Sequence, residues 1–244
     1  MILDIWKNFG DSPSNLCKDI KNKYNSKKVC FTGRLDPLAQ GSMIILTDED
    51  IYKADFYRNM DKTYSFEVIL GISTDSHDCM GNIINKINMK DITIDKKDII
   101  NFISNYNVQE YPIFSSRTVE YEGKMCNMWK LYKEGIKFDI PKKNVCILNF
   151  DIQEILTDVK QFDIYQNFIN MLKSINDDKL LKDFDVDKFI SQYEKDKNID
   201  EYFIKISMKM KVSSGFYIRK FCNDLGIYLG FGSIAYKITR ESSI

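Results

Sequence analysis

Three observations predict an α+β fold for this chain of 244 residues. From Tyr202 to Val212 an apolar side chain falls on every second residue (Tyr202, Ile204, Ile206, Met208, Met210, Val212), the period of a strand with one buried face. Ile218, Phe221, Cys222, Leu225 and Leu229 then recur at helical spacing, and Gly230 supplies a stop. Strand-like and helix-like stretches follow one another without the regular alternation of a doubly wound sheet.

Taken in order, Met1 to Trp6 reads as a short strand. Asp11-Ser12-Pro13 reads as an N-cap with proline in the first helical turn, and Leu16, Ile20 and Tyr24 give that helix its buried stripe. Residues 63–70 alternate Tyr64, Phe66, Val68 and Leu70 with Ser65 and Glu67, a half-buried strand, after which Thr74 to Gly81 turns away. A helix is expected from near Asp95, burying Ile99, Ile100, Phe102 and Ile103, and residues 117–123, 136–140 and 144–154 have strand-like content. Between about 157 and 200, Phe168, Ile169, Met171, Leu172 and Ile175, then Leu180, Leu181, Phe184, Phe189, Ile190 and Tyr193, fit two or three amphipathic helices. The aromatic content there argues against a disordered linker.

Hydrophobic residues make up 44% and aromatics 13%, ample core for a globular protein. No apolar run approaches the ~20 residues of a membrane-spanning helix, and the N-terminus lacks the layout of a signal peptide, so a soluble, cytoplasmic protein with no membrane partner is expected. The Lys-, Asn-, Ile- and Asp-rich composition hints at an AT-rich genome, of a parasite or a virus, in which case the compartment is the host cytoplasm. Six cysteines form no C-x-x-C pair and the single histidine, His77, has one thiol near it, Cys79, so no metal is expected. Net charge is zero but unevenly spread. Residues 176–201 hold nine acids and five lysines, whereas residues 204–240 hold seven Lys/Arg against Asp224 alone, and residues 1–36 hold seven basic residues against four acids. A locally positive field on a neutral chain is compatible with a nucleic-acid partner, although a single lysine most often just solvates a face.

The run Thr32-Gly33-Arg34-Leu35-Asp36-Pro37-Leu38-Ala39-Gln40-Gly41 carries the most specific signal. Two glycines bracket one carboxylate, Pro37 pins the backbone behind it and Leu35 and Leu38 limit its water. By composition alone this is a turn. Gly33-x-Leu35-Asp36-Pro37-Leu38-Ala39-x-Gly41, however, resembles the signature of the TruB-type RNA pseudouridine synthases. Further matches follow in that family's order: Lys62-x-Tyr64, Leu70-Gly71 with Thr74-Asp75-x-x-Asp78-x-x-Gly81, Gln109-x-x-Pro112-x-Phe114-Ser115, Gly123-Lys124, and Gly215-x-Tyr217-Ile218-Arg219 with Asp224-Leu225-Gly226. They cover most of residues 2–153 and 204–241.

The resemblance implies a pseudouridine synthase fold over residues 1–244, a mixed, mostly antiparallel central sheet flanked by helices, with 157–200 as an acidic helical insertion. It implies Asp36 as nucleophile, Arg219 as its guanidinium partner and Tyr64 against the target uracil, its hydroxyl available for proton work at C5. Tyr217 and Ile238 match pocket-lining positions, Asp78 a carboxylate that contacts RNA or base, and Lys28 and Lys124 join the substrate-binding set. The implied activity is isomerisation of a uridine, foremost uridine 55 in the tRNA T-arm, by a monomer without cofactor or metal. An enzyme acting on rRNA or mRNA, or an inactive RNA-binding or RNA-remodelling protein, are the alternatives. Three departures stand out. Cys30-Phe31 replaces a Gly-His pair, so Phe31 is expected to stack where an imidazole did. Ser214 replaces a basic residue, and the C-terminal PUA domain of many relatives does not follow before Ile244.

Overall fold

The computed structural model describes residues 1–175, 177, 180–181 and 184–242. Five residues between 176 and 183, which fall within the expected helical segment, and the last two residues lie outside that description.

Strand β1 (Ile2–Lys7) leads into helix α1 (Pro13–Lys23). The Ser12 carbonyl accepts the amides of Asn15 and Leu16, while its hydroxyl makes no cap bond. Ile20 is buried with Met43 and Ile45, but Tyr24 lies just past the last turn and is exposed, outside the expected stripe. Strands β2 (Val29–Phe31) and β3 (Gln40–Thr47), helix α2 (Ala54–Asn59) and strands β4 (Lys62–Leu70), β5 (Ile72–Thr74) and β6 (Ile83–Lys86) follow. Helix α3 (Lys96–Asn105) starts as expected, the Asp95 carboxylate accepting the Lys97 amide. It buries Ile99 and Ile103, one turn apart, while the adjacent Ile100 is turned outward to solvent, against expectation.

A small lobe comes next, made of β7 (Val108–Glu110), the hairpin β8 (Thr118–Tyr121) and β9 (Lys124–Asn127), α4 (Met128–Lys133) and β10 (Lys142–Asn144), which pairs back with β7. Residues 136–140 form no strand; Ile136 and Phe138 pack instead on the lobe's own core of Val119, Met128 and Leu131. Side-chain burial there met the apolar demand without a ladder. Strand β11 (Ile147–Lys160) runs six residues beyond the expected end at 154, so residues 157–160 are strand, not helix. Helices α5 (Gln161–Lys173) and α6 (Val186–Lys195) follow, then β12 (Tyr202–Val212), α7 (Ile218–Leu229) with Gly230 in the left-handed conformation at its end, and β13 (Ser233–Ser242).

The main sheet has the order β1-β3-β13-β4-β12-β11, with β2 also on β3, and is antiparallel except where Thr239 and Arg240 of β13 run parallel to Gln40 and Gly41 of β3. The front face, through Phe66, Val68, Ile206 and Met208, packs on Phe221 and Leu225 of α7 and Ile99 and Ile103 of α3. Ile69, Phe203, Ile234 and Tyr236 belong to a second core with Phe168, Leu172, Phe189 and Tyr193 of α5 and α6. The strict alternation of β12 thus conceals a second buried face at Phe203, which meets Tyr165 of α5 at 5.9 Å between ring centroids. Among the described residues, no helix is long and apolar enough to cross a membrane.

Candidate active site

Strand β1 occupies one edge of β3 from Gly41 to Leu46. The other edge is shared: β13 takes Gln40 and Gly41, and β2 takes Ile45 to Thr47. The sheet therefore splits, and the loop 32–39 that joins β2 to β3 rises at the split. Gly41 makes the seam possible. Its φ is +124°, and a Cβ there would fall 2.1 Å from the Arg240 carbonyl oxygen, so a side chain is excluded by strain and by contact together.

Asp36 sits in this loop with its side chain 33% exposed, and the buried Arg219, in the first turn of α7, donates Nε–H to Asp36 Oδ2 at 2.7 Å. The rest of the guanidinium is fixed by carbonyls, Nη1–H to Ser76 and Nη2–H to Phe114 at 2.7 and 3.0 Å. Asp78 Oδ2 lies 3.5 Å from Arg219 Nε, and its Oδ1 accepts from Ser76 Oγ and the Met80 amide. Burial works against the guanidinium charge, but the carboxylates of Asp36 and Asp78 outweigh it and hold the Arg219 pKa above the ordinary arginine value. Burial likewise pushes the Asp78 carboxyl up, opposed by Arg219 and by its hydrogen bonds. Arg219 is thus a permanent cation with every nitrogen engaged, and Asp36 is the solvent-reachable end of the cluster.

A pocket of about 10 Å³ opens at Asp36, lined also by Leu38, Asp78, Arg219, Tyr236 and Ile238, and by Met171 of α5. It holds about one water-sized sphere, so a nucleobase enters only if the walls move. Through Leu38, Met171, Lys237 and Ile238 it adjoins a cleft of about 460 Å³.

The charge distribution of the sequence did not disclose two buried cations that hold the loop from below. Lys7 is fully buried, and its ammonium donates to the carbonyls of Asn8, Pro37 and Ala39, the last at 2.7 Å. Arg240 donates Nε–H to Ser42 O and Nη2–H to Gly33 O. The expectation that a lysine solvates a face fails at Lys7 and at Lys62, whose ammonium donates to the carbonyls of Arg58 and Met60. Burial lowers both lysines to about 8, with Arg240 adding repulsion. Between about pH 8 and 10.5 the unfolded chain holds a proton on Lys7 that the folded chain has released, so unfolding free energy rises with pH across that window, by about 3 kcal/mol when complete. Lys7→Met should abolish its share of the rise, leaving that of Lys62. Urea titrations of both proteins from pH 7 to 10 give the difference directly.

The structure brings Asp36, Arg219, Asp78 and Ile238 around one pocket. Tyr64, on β4, is buried in the same core as Leu35, Ala39 and Ile238 and is not a wall of the pocket. Tyr217 precedes α7, its backbone gripped on both sides by the side chain of Gln109: the Gln109 amide nitrogen donates to Tyr217 O, and Tyr217 N–H donates to Gln109 Oε1. Gln109 is itself buried, and the signal that marked it in the sequence is its place in the Gln109-x-x-Pro112-x-Phe114-Ser115 match. Phe31 is half-buried against the core of Ile20, Met43 and Ile45. Lys28 and Lys124 are exposed and line no part of the pocket; the backbone of Lys28 is tied to Asp48.

Residues 21–167 match the family described as TruB family pseudouridylate synthase (N terminal domain). The tRNA pseudouridine synthase B of Thermotoga maritima is 26% identical over 243 residues, 99% of this chain and 62% of that protein. That of Mycoplasmopsis pulmonis is 33% identical over 153 residues, 62% of this chain and 52% of that protein. The chain thus spans less than two thirds of the length of these relatives. A Cbf5-Nop10-Gar1 complex and an H/ACA RNP bound to a substrate RNA containing 2'-deoxyuridine hold chains of the same fold, with TM-scores of 0.53 and 0.52 at 13% and 12% identity, covering 98% of this chain and 47% and 46% of those chains. The family match takes in the Asp36 loop, Tyr64 and Asp78, and helix α7 brings Arg219 from beyond it to Asp36 and Asp78: the chain belongs to the TruB family of pseudouridylate synthases.

Proposed function

We propose that this domain isomerises a uridine of RNA to pseudouridine, foremost uridine 55 of the tRNA T-arm, with Asp36 as nucleophile. The observation that carries the reading is the Asp36–Arg219 pair at 2.7 Å, held at the split of the sheet with Asp36 lining the pocket. The reaction breaks the bond between C1' and N1, turns the uracil and forms a bond from C1' to C5; C5 loses a proton and N1 gains one, so atoms and electrons are conserved. It asks for a carboxylate kept ionised, a fixed countercharge and a pocket that sheds water. Asp36 attacks, Arg219 fixes its orientation through the Nε–H bond and supplies the countercharge, and Ile238 and Leu38 exclude solvent. Tyr64 takes part once the walls part for the base. The helices α5 and α6 belong to an insertion after β11; they cover the back of the sheet, and Met171 of α5 reaches the pocket. The tRNA preference rests on the similarity to the tRNA pseudouridine synthase B relatives.

Unmodified tRNA transcript incubated with the protein should gain pseudouridine at position 55, mapped at single-nucleotide resolution. Product on an rRNA or mRNA fragment instead would keep the chemistry and replace the substrate. Absence of product on all of these would sink the enzyme reading.

A further inference from the structure

Basic and acidic residues are equal in number, 35 each, yet their pairing is uneven. Lys86, Lys205, Lys209 and Lys220 each have a carboxylate within 3.5 Å. Lys62, Arg117, Lys143 and Arg240 make no ion pair among the described residues. Their hydrogen bonds go to neutral acceptors: carbonyls for Lys62, Lys143 and Arg240, and the Tyr217 hydroxyl for Arg117. They also stand in sequence through space. Lys62 is close enough to Arg240 and Lys143 for mutual repulsion, and Lys143 to Arg117. Arg240 meanwhile reaches Gly33 in the nucleophile loop. A row of like charges partly stripped of water carries a standing cost that an anion relieves.

The accessible end of the row is built with some care. Lys143, on β10, donates to Ser214 O at 2.6 Å, and its ammonium lies against Gly215, where a Cβ would fall 2.1 Å from Nζ. Gly215 therefore makes the space that Lys143 fills. Of the three ammonium donors the Ser214 carbonyl takes one, leaving others for a second acceptor. Arg117 is exposed, with its guanidinium carbon 4.8 Å over the ring of Tyr111, which meets Tyr217 edge-on at 5.8 Å. A guanidinium over Tyr111, whose ring meets Tyr217, with the Lys143 ammonium near it, suits a single strand whose backbone is anionic and whose bases stack.

We propose that Lys143 and Arg117 form the subsite for the RNA phosphate beside the reacting nucleotide, so that the strand crosses the mouth of the site between the small lobe and the Ser213–Gly215 turn. The inference rests on the RNA reading above and adds the path of the backbone to it. The acidic α5–α6 layer takes no part in this contact.

Binding of unmodified tRNA transcript should be measured by fluorescence anisotropy from 50 to 300 mM salt for the wild type, Lys143→Gln, Arg117→Gln, Lys143→Arg and Lys209→Gln. Each phosphate contact removed flattens the plot of log Kd against log salt by about 0.7–0.9. Lys143→Gln and Arg117→Gln should each show that loss and weaker binding at low salt, while Lys143→Arg and the ion-paired Lys209→Gln keep the wild-type slope. Lys143→Gln and Arg117→Gln slopes equal to wild type, in a protein that binds and modifies RNA, overturn the subsite alone. A loss of slope in Lys143→Arg equal to that in Lys143→Gln also overturns it, because the charge is kept. A wild type that binds no RNA at 50 mM salt overturns the RNA reading and the subsite with it.

Discussion

Asp36→Asn should reduce pseudouridine formation by about 10⁴-fold or more while leaving a folded protein that still binds RNA. The factor is the scale of losing a nucleophile, where geometry and binding survive but no covalent step is possible. Folding survives because the substitution removes charge and not shape, and because Arg219 keeps Asp78 at 3.5 Å and its bonds to Ser76 and Phe114. The Asp36 side chain is also one-third exposed, so water compensates part of the lost pair. Single-turnover assays with excess enzyme, alongside a binding isotherm, separate chemistry from affinity. Turnover within tenfold of wild type would remove Asp36 as the nucleophile.

Arg219→Met should be the more damaging change to stability, at about 3–5 kcal/mol, since removing one partner of a buried pair strands the other. The deletion leaves Asp36 and Asp78 facing each other without a cation and two carbonyls, of Ser76 and Phe114, without donors. Burial already raises Asp78, and losing Arg219 raises it further, so in the variant the folded state takes up a proton that the unfolded chain releases. Its unfolding free energy should consequently increase as pH falls from 7 toward 5. Arg219→Lys keeps the charge but has a compact ammonium in place of a planar fork, so it cannot span Asp36, Ser76 and Phe114 together. Denaturant midpoints at pH 5 and 7 for both variants test the ordering: Arg219→Met is least stable at pH 7 and gains most on acidification.

The separation between what could be read in advance and what could not runs along particular residues. By composition alone the Asp36 loop reads as a turn; the acid was legible only through the family motif around it and the distant Gly215-x-Tyr217-Ile218-Arg219 segment that matched the same family. Gly41 was visible as a letter of that motif, but the reason for it, a parallel seam against Arg240, appears only when β13 lies beside β3. Ile100 and Tyr24 were placed inside and lie outside because periodicity fixes a stripe and not its width. Residues 136–140 had strand content and found a core in place of a partner strand.

Sequence by itself determined the α+β class, the strands of the central sheet from Lys62 and Tyr202 onward, the α7 helix and the identity of the acid and guanidinium that meet. The class, the strands and the helix are local or periodic properties, written in spacing and turn chemistry; the acid and the guanidinium came only from the resemblance of their motifs to a family. Tertiary structure alone decided that Lys7 and Arg240 clamp the loop from beneath, that Met171 reaches the pocket from α5, and that Lys143 lies against Gly215. Each of those contacts joins segments distant in the chain, and a lysine on a strand looks the same in sequence whether its ammonium faces water or three carbonyls. Burial is a property of the neighbours, and only the folded chain supplies them.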